Sequence, residues 1–136
     1  MKKMYLLFSH TLTEAQKADA GETLGIRTFV PLPENLQQLW SDIPPDAENL
    51  REHLRPLLEY VRQHVTPDDV VLIQGDFGAT CLMVQVVQYL GAKAVHATTR
   101  RNVIQEHDGD TVIKRSVFEH VRFRTYAPCS LQKGSA

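Results

Sequence analysis

The stretch that most constrains this chain is DVVLIQGDFGAT, Asp69 to Thr80. Its apolar run through Ile73 offers no polar face, so as a strand it has to be covered on both sides, the situation of a parallel sheet packed between helices. The run breaks at Gly75-Asp76-Phe77-Gly78 and resumes as TCLMVQVVQYLG, an apolar helix that Gly91 closes.

The remaining segments repeat this alternation. KMYLLFS reads as a buried strand, and Thr13 followed by Gln16 is a capping-box pattern at the start of a helix that ends at Gly25. IRTFVPL is a second strand and PENLQQLW a short helix opening after Pro33. Beyond the proline-broken SDIPPD, Leu50, Leu54, Leu57, Leu58, Val61 and Val65 form an apolar stripe at helical spacing, which Pro56 should interrupt. KAVHATT is the next strand. NVIQEHDGDTVIKRSVFEHVRFRTY has no helical period, and His107 to Asp110 reads as a turn between two strands. The expectation is an α/β domain over residues 1–127, with a mostly parallel sheet flanked by helices and a C-terminal antiparallel strand extension, followed by a frayed tail over 128–136.

Composition narrows the function classes. At 136 residues the chain can bury one ordinary core, and a formal net charge of −1 gives no overall electrostatic case for a DNA or membrane-surface binder. Any anion site must be local. No apolar run approaches the ~20 residues of a membrane span, the N-terminal apolar run is too short for an export signal, and Cys81 and Cys129 form no Cys-x-x-Cys pair. A reducing cytoplasm is the expected setting, with Cys81 a small core residue.

Open parallel sheets bind ligands beyond the carboxyl ends of their strands, where the winding order reverses. Three loops should meet there: Ser9-His10-Thr11, Gly75-Asp76-Phe77-Gly78 after Gln74, and Thr98-Thr99-Arg100-Arg101. Glycine allows close backbone approach, and helix-start amides bind phosphate. Phe77 is available to stack on a base. The competing reading makes Asp76 a helix cap and packs Phe77 in the core. Familiar motifs do not apply: Asp76-Phe77-Gly78 lacks every other element of a protein kinase, and no Walker lysine, dinucleotide fingerprint, serine elbow or metal-ligand spacing is present. Glu106, His107, Asp108 and Asp110 read as a solvated turn. His53, His64 and His107 read as surface residues, and His96 as packed against the sheet.

In an uninterrupted C-terminal strand Phe118, His120, Arg122, Arg124 and Tyr126 share one face. Guanidiniums match phosphate oxygens and imidazole moves protons near neutral pH, whereas arginines on an edge strand also guard against aggregation.

LLFSHTLTEAQKADA, FVPLPENLQQLWSDIPP, LIQGDFGAT, HATTRR and SVFEHVRFRTY together resemble the small CRISPR-associated family written Csx followed by the number twenty. The resemblance extends to Tyr126. It implies a CARF-like Rossmann domain and a ring nuclease that cleaves cyclic oligoadenylate, with cyclic tetra-adenylate the first expectation, to linear products with 2',3'-cyclic phosphate ends, without metal or cofactor. The ligand's approximate two-fold symmetry favours a homodimer. On this reading Arg100 and Arg122 neutralise the developing charge, His10 or His120 transfers a proton, and Ser9, Thr11, Gln74, Gly75, Asp76, Phe77, Gly78, Thr98, Thr99 and Arg101 hold the ligand. The alternatives are a non-catalytic binder of the same messenger and, less well matched to the charge, a nuclease acting on linear RNA.

Overall fold

The structure, a computed structural model, describes residues 2–128. The strands β1 (Lys3–Leu7), β2 (Thr28–Pro31), β3 (Val70–Ile73), β4 (Lys93–Asp108) and β5 (Thr111–Thr125) form one sheet in the order β2-β1-β3-β4-β5. All pairings are parallel except the antiparallel β4–β5 pair. The helices are α1 (Glu14–Leu24), α2 (Glu34–Ser41), α3 (Leu50–His53), α4 (Arg55–His64) and α5 (Phe77–Tyr89). The strand order makes the winding reverse between β1 and β3, and the loops that follow these two strands open at the carboxyl edge.

The sheet is covered on both faces, as the unbroken apolar β3 requires. Alternation along β1 and β3 sends Met4, Val70 and Leu72 to one side, where they pack with Leu12 and Ala20 of the α1 region. Tyr5, Leu7, Val71 and Ile73 point to the other, against Trp40 of α2, Leu57 and Val61 of α4, and Met83 and Val87 of α5.

Local signals act where they stand in the sequence. The Thr13 hydroxyl accepts from the Gln16 amide at 3.1 Å while the Gln16 side chain accepts from the Thr13 amide at 2.9 Å, a complete capping box. Gly25 closes α1 in the left-handed region at φ 69°. Pro56 stands in the first turn of α4, after a break at Leu54, so the expected stripe is carried by two helices. The C-terminal pair is antiparallel, and its turn falls after Asp108, with Gly109 at φ 64°.

Four expectations need correction. Thr98, Thr99, Arg100 and Arg101 do not form a loop, because β4 runs unbroken from Lys93 to Asp108 with no Gly or Pro to stop it and with β5 as partner throughout. Gly75 to Gly78 is not wholly a turn either: the Asp76 carboxylate accepts from the Ala79 amide at 3.0 Å, so the helix begins at once and contains Phe77 and Gly78. Cys81 lies on the exposed face of α5, not in the core. Cys129 and the tail beyond residue 128 lie outside the described residues.

The fourth concerns β5. Thr98 pairs with Arg122 but Thr99 pairs with His120, so Val121 is an extra residue, a β-bulge. One inserted residue exchanges the two faces beyond it. Phe118 and His120 therefore share the α1 side with Phe123, while Arg122, Arg124 and Tyr126 stand on the α5 side; the expected five-residue face does not exist.

Candidate functional site at the carboxyl edge

Two segments of the expected site meet at the winding reversal. After β1, the Ser9 hydroxyl lies 3.0 Å from that of Ser41, and the Gln37 side-chain amide donates to both the Ser41 hydroxyl and the Phe8 carbonyl at 3.0 Å. This ties the loop to α2. After β3, Gln74 uses its backbone amide to reach the Leu7 carbonyl at 3.0 Å, and its side-chain oxygen accepts from the Ala97 amide at 2.7 Å. Gln74 thus continues the sheet between β1 and β4 where β3 ends. Its carbonyl accepts from the Trp40 indole at 3.2 Å. Gln37, Trp40 and Ser41 form the floor of the site and were not expected there; a tryptophan on a short amphipathic helix signals burial, not what it is buried beneath.

The two glycines have packing reasons of their own. A Cβ on Gly75 would meet three indole atoms of Trp40 at 3.0 Å, and one on Gly78 would meet the Leu50 methyl at 2.7 Å. Asp76 is spent on the cap. Phe77 has no such explanation: it is 95% exposed at the first turn of α5, so the core-packed reading fails. The Phe77 and Gly78 amides precede any intrahelical acceptor, while the Asp76 carboxylate and carbonyl take the next two.

The sheet divides the proposed catalytic groups. Thr98, Arg100 and Arg122 lie on the side that carries α5, and Thr98 donates from its hydroxyl to the Arg122 carbonyl at 3.0 Å. In register with Arg100 stands Glu119. Thr99, Arg101 and His120 lie on the α1 side, where the Arg101 guanidinium donates to Ser116 at 3.1 Å. His10 and Thr11 are exposed at the end of β1, with the His10 ring edge-on to Phe8 at 5.4 Å between centroids.

His120 is the residue whose placement changes most. Its Nε2 lies 2.7 Å from the Asp19 carboxylate on α1, its ring packs on Phe123 at 4.9 Å, and its side chain is 6% exposed. It clamps the strand pair to α1 instead of facing solvent beside Arg122. His96 is half-buried against Tyr126 and its pKa is lowered, first by burial and then by the Arg124 guanidinium. The Tyr126 hydroxyl donates to the Ile73 carbonyl at 2.7 Å, and burial raises its pKa. Glu106, expected in the turn, lies within β4 and pairs with Arg115 of β5 at 3.0 Å.

Clefts of about 640, 550 and 410 Å³ line the far end of α5 and the α3–α4 region, and none includes Ser9, His10, Asp76 or Phe77. At the carboxyl edge itself Ser9, His10, Asp76 and Phe77 are exposed. Among the described residues no helix is long and apolar enough to cross a membrane.

Comparison with known proteins places the chain in one family. The model of the Uncharacterized protein MJ1673 family matches residues 2–124. Uncharacterized protein MJ1673 of Methanocaldococcus jannaschii is 43% identical over 128 residues, covering 94% of this chain and 99% of that protein. No solved structure gives a significant match.

Proposed function

We propose that this chain, which belongs to the Uncharacterized protein MJ1673 family, is a CARF-like ring nuclease that binds cyclic oligoadenylate at the carboxyl edge and cleaves it. One observation carries the reading: an aromatic ring 95% exposed at a helix start, on the side of the sheet that also bears Arg100 and Arg122. A ring of adenylates needs stacking surfaces and local cations rather than a basic protein, and the net charge of −1 fits that demand. Phe77 stacks on an adenine, the Phe77 and Gly78 amides face a phosphate, and the two arginines neutralise charge. The open edge makes a second copy of the chain the natural cover.

The reaction requires no external nucleophile. A ribose 2'-oxygen attacks the adjacent phosphorus, the bond to the 5'-oxygen breaks, and the products carry a 2',3'-cyclic phosphate and a 5'-hydroxyl. The proton lost by the 2'-hydroxyl is balanced by one delivered to the leaving oxygen. In-line positioning supplies much of the acceleration. His10 is the exposed imidazole available for proton transfer, and Arg100 and Arg122 stabilise the phosphorane.

The sequestration of His120 by Asp19 favours a second reading, a non-catalytic binder, because it withdraws one of the two imidazoles. A single assay separates them: labelled cyclic tetra- and hexa-adenylate incubated with the protein in EDTA, with products resolved by chromatography. Linear products ending in a cyclic phosphate are expected. Intact rings that co-elute with the protein establish the binder, and rings neither bound nor cut refute both.

A further inference from the structure

Beyond Thr99 the β4–β5 pair runs on as a two-stranded ribbon, in register from Arg100 opposite Glu119 to Asp108 opposite Thr111 with no further bulge. Its residues are exposed apart from Asn102 and Val117, which are half-buried. Residues opposite one another share a face and successive residues alternate, so the register sorts the ribbon into two faces of different chemistry. The face continuous with the α1 side carries Arg101, Gln105, His107, Lys114 and Phe118 and no carboxylate, whereas Glu106, Asp108 and Glu119 all stand on the other. On that second face the charges answer one another: Arg115 pairs with Glu106 at 3.0 Å, and Arg100 is in register with Glu119. On the first they do not. The Arg101 guanidinium meets only a neutral group, the Ser116 hydroxyl at 3.1 Å, and Lys114 has no hydrogen bond or ion pair among the described residues. Phe118, opposite Arg101, is 67% exposed. Charges alone suffice to guard a strand against unwanted pairing, and an exposed phenyl ring works against that purpose.

We propose that this face of the ribbon is a platform for linear single-stranded nucleic acid, on which a base stacks on Phe118 and the Arg101 guanidinium and Lys114 ammonium hold the phosphates that follow. The order of groups along β5 suits a strand laid lengthwise. Phe118, Ser116 with the Arg101 guanidinium bonded to it, and Lys114 succeed one another on the face at intervals of about 7 Å. A sheet that offers an aromatic ring flanked by cations binds unpaired bases without regard to sequence, because every base has a face to stack. A duplex is the poorer occupant: its bases are already stacked, and two cations neutralise few of its phosphates. The net charge of −1 is no obstacle, since the carboxylates of β4 and β5 in the ribbon lie on the opposite face. The inference rests on the ribbon and not on the ring reading, in which Phe118 and Lys114 have no part.

The test is fluorescence anisotropy with a short end-labelled linear RNA of mixed sequence, its DNA counterpart and the corresponding duplex, over a range of salt concentrations. We expect the single strands to bind more tightly than the duplex, with a salt slope that Lys114→Gln makes shallower by about 0.7. Phe118→Ala should weaken binding about fivefold or more, and Ile104→Ala, on the opposite face, should leave it unchanged. All three positions are exposed, so circular dichroism melts should match the wild type. Single strands that fail to bind at low salt overturn the proposal and leave this face to a protein partner; a duplex bound as tightly as the single strand, or a Phe118→Ala protein that binds like the wild type, overturns it equally. Phe118→Ala should cleave cyclic tetra-adenylate as the wild type does, and loss of strand binding together with ring cleavage would mean that the strand occupies the carboxyl edge, which also refutes the platform. A protein that binds strands and ignores rings would keep this inference without the proposed function, and one that cuts rings and ignores strands would do the reverse.

Discussion

Gly75→Ala and Gly78→Ala separate packing from ligand approach as the reason for the two glycines. At position 75 the new methyl would lie 3.0 Å from three atoms of the Trp40 ring, well inside the ordinary carbon separation of about 3.5–4.0 Å. Trp40 is 2% exposed and its indole is held by the Gln74 carbonyl, so a rigid group has to move within a filled core. Overpacking of this kind costs about 1–3 kcal/mol, and the smaller entropy of the unfolded alanine chain returns about 0.4–1, leaving a loss of about 1–2 kcal/mol. For a chain of this size that is a fall of about 3–8 °C in Tm. At position 78 the obstacle is the mobile end of Leu50, at 2.7 Å. Turning that side chain costs about 0.5–1.5 kcal/mol and the gain in helix propensity is about 1 kcal/mol, so the variant should melt close to the wild type. Thermal melts followed by fluorescence suit the question, since Trp40 is the sole tryptophan. If Gly75→Ala melts like the wild type but loses ring binding, the packing argument is wrong and the glycine serves the ligand.

Three further outcomes follow from the same geometry. The His96 pKa is lowered from 6.5, so the unfolded chain binds the proton more readily; the stability held by neutral His96 is complete above 6.5 and is lost as pH falls through the lowered folded value. Urea midpoints taken from neutral to mildly acidic pH should therefore fall less steeply in His96→Gln, and an unchanged slope would refute this. His120→Ala leaves the Asp19 carboxylate without its imidazole and should cost about 1–3 kcal/mol, with hydrogen exchange quickening in β5 before the β1–β3 pair; uniform quickening would show that the clamp is not local. Thr13→Ala removes the acceptor of the capping box and should lower stability by about 1 kcal/mol, read from the urea midpoint, with no change in ring cleavage at saturating ligand.

The elements legible in the sequence are those whose cause is local. The Thr13–Gln16 box, the left-handed Gly25, Pro56 at the head of a helix and the glycine after Asp108 each act within a few residues, and each stands where its pattern implies. The apolar β3 announced cover on both faces because such a run has no alternative burial. What escaped depends on partners distant in the chain. Thr98 to Arg101 are strand because β5 arrives to pair with them, and the bulge at Val121 arises from that pairing, with no glycine or proline to mark it. Residue type alone puts Cys81 inside, whereas position within the α5 period decides its face. The floor of the site, Trp40 and Ser41, comes from a helix whose own pattern speaks only of burial.

The bulge also bears on what kind of ligand the edge can serve. By exchanging the faces of β5 it puts Arg122 on the α5 side with Arg100, and His120 on the α1 side, where Asp19 holds it. A mononucleotide resting on Phe77 would lie on the side of Arg100 and Arg122 and not on that of His120. A ligand that touches both Phe77 and His10 would cross the end of the sheet, where the loops after β1 and β3 are tied down by Ser41, Gln37 and Trp40. Those ties fix the two loops to α2, an arrangement that in-line attack under the proposed function would need more than simple capture would. Under the proposed function, a ring lying across that edge with an adenine on Phe77 and a phosphate at His10 would use both loops.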